Sequence, residues 1–153
     1  MSTAVARQKD VGAKPRVHRH AVVVGELALG PATRRAVRVR AVEKGDPIAA
    51  GELAGLLAMK RTPELIPHCH AVPLTASRVD LRASRRGVTV RAEAETVDRT
   101  GVEMEALVGA TVALLTVWDM VKYLEKDARG LYPHASLGPV RVVAKRKSKT
   151  EEP

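Results

Sequence analysis

Three polar residues, Glu105, Asp119 and Lys122, interrupt one long apolar segment. On an ideal helix at about 100° per residue, the fourteen steps from Glu105 to Asp119 leave an offset of about −40°. Asp119 and Lys122 are then one turn apart. A helix would carry all three on one side, away from an aliphatic stripe of Leu107, Ala110, Leu114, Val117, Val121 and Leu124. A carboxylate beside an ammonium can serve as an acid/base pair, because each shifts the other's pKa and fixes its position. The same spacing also describes a plain surface ion pair, worth roughly 0.3 kcal/mol. Glu103 lies about 160° from Glu105 around the same axis, so the two share a pocket only if Glu103 sits in the first turn. Thr100-Gly-Val-Glu103 reads as a capping box, which would occupy that carboxylate.

A second set of reactive side chains is His68-Cys69-His70, between Pro67 and Pro73. In an extended segment the two histidines point the same way. With His18 and His20 they offer four imidazoles. The chain has a single cysteine, and no histidine pair has the helical i,i+3 or i,i+4 spacing. A fixed hydrogen-bonding or acid/base histidine is therefore a better reading than a metal ligand, and no metal site is expected. Lys44-Gly45-Asp46 places a lysine just ahead of a helix start, and Lys60-Arg61 closes that helix. Helix starts suit anions. Neither GxxxxGK[ST] nor GxGxxG occurs, so a bound phosphate would be met by side-chain cations.

The formal net charge is +9, which favours an anionic partner. Part of the excess sits near the ends, at 14–19 and 145–149. The aromatic content is one Trp, two Tyr and no Phe. None falls in an expected strand, which argues against an RNA module that stacks bases on its sheet. A non-catalytic nucleotide- or RNA-binding module remains the alternative, through backbone electrostatics alone. The single cysteine excludes an internal disulfide, no secretory pattern opens the chain, and the longest apolar stretch, 106–117, is short for a membrane span. The expectation is a cytoplasmic protein with no membrane and no nucleic-acid partner.

The elements that must position these groups follow from patterning. Residues 1–15 read as a flexible arm, 16–146 as one domain and 147–153 as a charged tail. Residues 17–29 are rich in β-branched side chains and read as a strand, ended by Gly30-Pro31. Residues 32–43 fit helix or strand, with the basic alternation V-R-V-R at 37–40 slightly favouring a strand. Asp46-Pro47 opens a helix to Lys60 whose many Ala and Gly residues call for close packing on a neighbour. Thr62-Pro63-Glu64 repeats the cap-then-Pro signal for a short turn. Residues 77–81 and 88–94 alternate as strands joined by Arg85-Arg86-Gly87. The long helix spans 101–126, a loop 130–138, and a final strand 140–144. The sum is an α+β domain: a ferredoxin-like antiparallel sheet of about four strands with helices packed on one face.

Several of these stretches together resemble the cyclic pyranopterin monophosphate synthase family, molybdenum-cofactor biosynthesis protein C. They are Lys44-Gly-Asp, Lys60-Arg-Thr-Pro-Glu-Leu-Ile-Pro67 followed by Cys69-His70, Thr100-Gly-Val-Glu-Met-Glu-Ala-Leu107, Thr116-Val-Trp-Asp-Met-Val-Lys122 and Gly138-Pro-Val-Arg-Val-Val-Ala-Lys145. The resemblance covers about 10–146. It implies a lyase that converts a cyclised dihydroguanosine triphosphate to cyclic pyranopterin monophosphate and releases pyrophosphate. It implies a homohexamer, a trimer of dimers, with sites at subunit interfaces. No cofactor is required, although Mg²⁺ could accompany the triphosphate. By position Asp119, Lys122 and Lys44 match the catalytic residues. His68, Cys69, His70, Met104, Glu105 and Glu103 match the substrate-binding set, with Lys60, Arg19 and Lys145 as further cations. Here His68 stands where the family usually has an apolar residue, and Ala71 where it usually has Pro.

Overall fold

The computed structural model describes residues 6–148. Its central strand is β1 (Val17–Ala28), the β-branched run VHRHAVVVGELA. One edge of β1 pairs antiparallel with β3 (Gly87–Asp98), and β3 pairs with β2 (Ala76–Ala83). Its other edge is shared by the two-residue β4 (Ser136–Leu137) and by β5 (Arg141–Ser148). The expected sheet of about four strands is thus four long strands plus β4, which lies inside the expected loop. The last strand runs to Ser148, so the first two residues of the expected tail belong to the sheet. The rest of that tail, 149–153, lies outside the described residues, as do residues 1–5 of the arm.

Alternation sorts the two sheet faces. Ala21, Val23, Leu27, Val79, Leu81, Val88, Val90, Ala92 and Ala94 are buried under the helices. The opposite face carries ion pairs: Arg82 with Asp80, Arg91 with Glu93, and His20 and His18 beside Glu93 and Glu95. Among the described residues no Trp, Tyr or Phe lies in a strand.

Two helices cover the inner face. α2 (Pro47–Lys60) starts at Asp46, whose side chain accepts the N–H groups of Ile48 and Ala49. α4 (Glu103–Glu125) crosses it and covers β1 and β3. By length and composition α4 would pass for a membrane span, but its apolar side is the floor of the core. Ala106, Ala110, Ala113, Leu114, Val117 and Val121 have no exposed surface. Leu124, expected in that stripe, is 38% exposed.

Two expectations are overturned here. Residues Pro31–Arg38 form a helix, α1, instead of the slightly favoured strand. Pro31 presets the first turn, Thr33 and Val37 at i,i+4 are buried, and the arginines face out, with Arg35 and Arg38 in the last turn where cations suit the helix dipole. Val39, just past the helix, is 60% exposed. Second, neither Thr62 nor Thr100 caps a helix. Thr62 lies inside α3 (Thr62–Leu65) and donates its hydroxyl back to the carbonyls of Ala58 and Met59. α4 is entered at Val102 with no side-chain cap bond.

Candidate active site

The expected site residues fall into two groups on α4. The first gathers at Asp119. Lys122 Nζ lies 2.7 Å from Asp119 Oδ1. Lys44, from the α1–α2 loop, donates to the other carboxylate oxygen at 3.4 Å and to the Asp119 carbonyl at 3.0 Å. One carboxylate is thus held by two ammonium groups from different elements. The Lys122 hydrogen bond and charge, then the Lys44 charge and hydrogen bond, hold Asp119 below its ordinary range. Lys122 is raised by its bond to Asp119 and by that carboxylate's charge. All three side chains are about half exposed, with Asp119 at 59%. The group is reachable by a solute and ionised at neutral pH.

The surroundings of Asp119 contain what sequence reasoning missed. All three aromatic residues of the chain, Trp118, Tyr123 and Tyr132, lie around this turn of α4. Trp118 and Tyr132 meet edge to face with centroids 6.0 Å apart. Tyr132 is close enough to Lys122 to add to its upward shift. Tyr123 accepts the backbone N–H of Glu43 at 3.0 Å, next to Lys44. The clustering of so rare a residue type within 118–132 was the signal available in the sequence.

The second group lines a cleft of about 320 Å³ at the start of α4: His68, Cys69, His70, Thr100, Gly101, Glu103, Met104 and Glu105. Glu105 is 3% exposed, and burial, with a contribution from the Glu103 charge, pushes its carboxyl up. Burial also raises the Cys69 thiol, helped by Glu105, so Cys69 is a neutral contact at pH 7 and not a thiolate. Burial works to raise Glu103, but its hydrogen bonds to Lys145 and the backbone and the charges of Lys145 and Arg19 leave it below the ordinary value. Besides its own backbone N–H, its partner is Lys145 and not the Thr100 N–H that a capping box would supply. Because Glu103 is the first residue of α4, it and Glu105 do line one cleft.

Arg19 is engaged with the turn before α4, donating to the carbonyls of Asp98 at 3.1 Å and Arg99 at 3.0 Å. Lys60 is exposed at the end of α2 and lines neither group. The described residues of the arm bear on the cleft. His68 Nδ1 lies 2.9 Å from the Arg7 carbonyl, His70 Nε2 lies 2.6 Å from that of Lys9, and Gln8 donates to the Cys69 carbonyl. Carbonyls only accept, so Nδ1 of His68 and Nε2 of His70 carry protons. This stretch, expected to be flexible, fixes both imidazoles. His18 and His20 are elsewhere, on the open sheet face. Among the described residues no group of three or more His, Cys, Asp or Glu is placed to hold a metal ion.

The two groups do not meet within one chain. Fourteen residues at 1.5 Å rise separate Glu105 from Asp119 by about 21 Å along α4. The expected grouping of Glu105 with Asp119 and Lys122 left out the distance along the axis, and Glu105 is buried where Asp119 is exposed.

A model of the MoaC family matches residues 8–148. A probable cyclic pyranopterin monophosphate synthase of Methanosarcina acetivorans is 48% identical over 93% of this chain and 90% of the relative. Proteins of the same name from Archaeoglobus fulgidus and Pyrococcus abyssi are 47% and 45% identical, over 95% and 91% of this chain and 93% and 87% of their own lengths. With the match running from the arm through β5, the chain belongs to the MoaC family.

Proposed function

We propose that this chain is a cyclic pyranopterin monophosphate synthase, a lyase that converts the cyclised dihydroguanosine triphosphate to cyclic pyranopterin monophosphate in molybdenum cofactor biosynthesis. The observation that carries this reading is Asp119 held between Lys122 and Lys44. A cyclic monophosphate forms from a triphosphate when a hydroxyl oxygen attacks the α-phosphorus and pyrophosphate leaves. The attacking hydroxyl must lose a proton, and negative charge grows on the leaving pyrophosphate. Asp119, ionised at neutral pH, accepts a proton; Lys122 and Lys44 supply positive charge and a proton donor. The cleft of His68, Cys69, His70, Met104 and Glu105 binds the fused-ring portion, Arg19 and Lys145 add positive charge beside it, and Lys60, which lines neither group within one chain, adds its charge for the phosphates from a neighbouring copy.

The two groups come together between copies of the chain, in a homohexamer built as a trimer of dimers. The setting is cytoplasmic, with no cofactor required and Mg²⁺ at most an escort of the triphosphate. Purified protein given the cyclic triphosphate should release pyrophosphate, and chelation by EDTA should leave that release in place. Asp119→Asn and Lys122→Ala should each lower the rate roughly 10²- to 10⁴-fold. Full activity in both variants removes the site assignment, and no turnover by the unaltered protein removes the function.

A further inference from the structure

We propose that Tyr123 is a positioning residue that sets Lys44 on Asp119, by accepting the Glu43 N–H with its phenol oxygen. The inference rests on the reading of Lys44 and Asp119 as reacting groups, and it concerns how that contact is held.

Lys44 sits on the loop between α1 and α2, the least regular backbone near the site. Arg40 has φ 56° and Gly45 has φ 105°. The loop is tied where Ala41 N–H donates to the Ala36 carbonyl and Gly45 N–H to that of Val42, whose side chain is buried. It is tied again where Asp46 caps α2. Between those ties the Glu43 N–H has one partner among the described residues, Tyr123 Oη at 3.0 Å. Fixing the peptide that enters Lys44 fixes where its long side chain begins. A lysine is a point charge on a flexible stem, so its reach to a given atom depends on that origin.

Tyr123 is well placed for the task. It lies four residues after Asp119, one helical turn away on the same side of α4. The Asp119 carbonyl that accepts Lys44 Nζ is also the one the helical pattern pairs with the Tyr123 N–H. Tyr123 is 38% exposed and is outside the buried core, so packing alone does not account for its aromatic ring.

The charged groups acting on Asp119 are Lys122 from α4 and Lys44 from the loop, and both lower its pKa. Releasing Lys44 therefore raises it. The direct test is a carboxyl NMR titration of Asp119 in the full chain. In Tyr123→Phe, which removes one oxygen, the Asp119 pKa should move up, by less than in Lys44→Met. Adding Tyr123→Phe to Lys44→Met should move it no further. 4-Methoxyphenylalanine at position 123, which keeps an acceptor oxygen, should restore the original titration. An unchanged Asp119 titration in Tyr123→Phe, or a shift that persists without Lys44, overturns the proposal. In turnover, kcat of Tyr123→Phe should fall roughly 10- to 100-fold, as for a displaced reacting group, with KM nearly constant and the acid limb of the pH profile moved up. The coupled NMR shifts with full turnover in both Tyr123→Phe and Lys44→Met would uphold the positioning and refute the catalytic reading of Lys44.

Discussion

Asp119 and Glu105 are carboxylates on one helix, and their surroundings drive them in opposite directions. Two ammonium groups hold Asp119 low in an open position, whereas burial pushes Glu105 up in a closed one. Environments that push the pKa values of a pair of acids apart assign them different roles. On the proposed function, Asp119 suits proton acceptance, and Glu105 suits a hydrogen bond to the ring portion of the substrate. The Glu105 shift also has a stability consequence. A carboxyl whose folded pKa exceeds its unfolded value contributes stability below the unfolded pKa, and that contribution is lost as pH rises through the folded value. Glu105→Gln should therefore melt above the unaltered protein at pH 7–8. The gap should narrow as pH falls toward about 4, and substrate turnover should drop. Thermal scans at fixed protein concentration against pH check it, and equal melting at every pH would refute it. Asp119–Lys122 was legible because i,i+3 spacing needs no tertiary knowledge. Lys44 at Asp119 was not legible from the residues themselves, since its approach depends on a loop with two positive-φ residues that no hydrophobic period encodes.

α2 and α4 approach so closely that their backbones touch through glycine. A Cβ at Gly55 would stand 2.8 Å from the Gly109 carbonyl oxygen and 3.1 Å from the Ala113 Cβ, and one at Gly51 would stand 2.9 Å from the Ala113 carbonyl oxygen. The small residues of α2 called for such a neighbour on sequence grounds, and the neighbour is α4 of the same chain. Gly55→Ala gains up to about 1 kcal/mol of helix propensity. It then has to force two backbones apart, and overpacking of this kind costs about 1–3 kcal/mol. The variant should lose about 1–2 kcal/mol by urea denaturation, and a gain in stability would show that the helices can separate freely. The fold was legible where β-branched residues ran densely, as in β1, and where a period of 2 or 3.6 ran long enough, as in β3 and α4. It was misread in Pro31–Arg38, where eight residues are too few for arginine-valine alternation to be told from a helix with arginines outside. The capping box failed because α4 begins at Glu103 after Val102, so Thr100 is not its N-cap, and Glu103 pairs instead with Lys145, remote in sequence.

For the molecule as a whole, the decisive quantity is the length of α4. Groups that act on one reacting bond lie within about 3–3.5 Å of it, yet the Asp119 group and the Glu105 cleft stand about 21 Å apart along a straight helix. α4 is pinned to the sheet and to α2 along its whole inner side, so no bending of this chain brings them together. On the proposed function, a substrate that engages both touches two chains, the Asp119 group of one and the cleft of another. Two-fold assembly does this economically, because a single contact surface then completes two sites. Asp119→Asn and His70→Ala should each be inactive alone, and each removes a group from a different half. After subunit exchange by mild denaturation and refolding of an equal mixture, chains that pair at random leave one site in four with both halves intact. Activity should return to roughly a quarter of the unaltered level, and mixing without exchange should restore none. A refolded mixture that stays inactive, while the unaltered protein recovers under the same treatment, would place both halves of the work in one chain and refute the shared site.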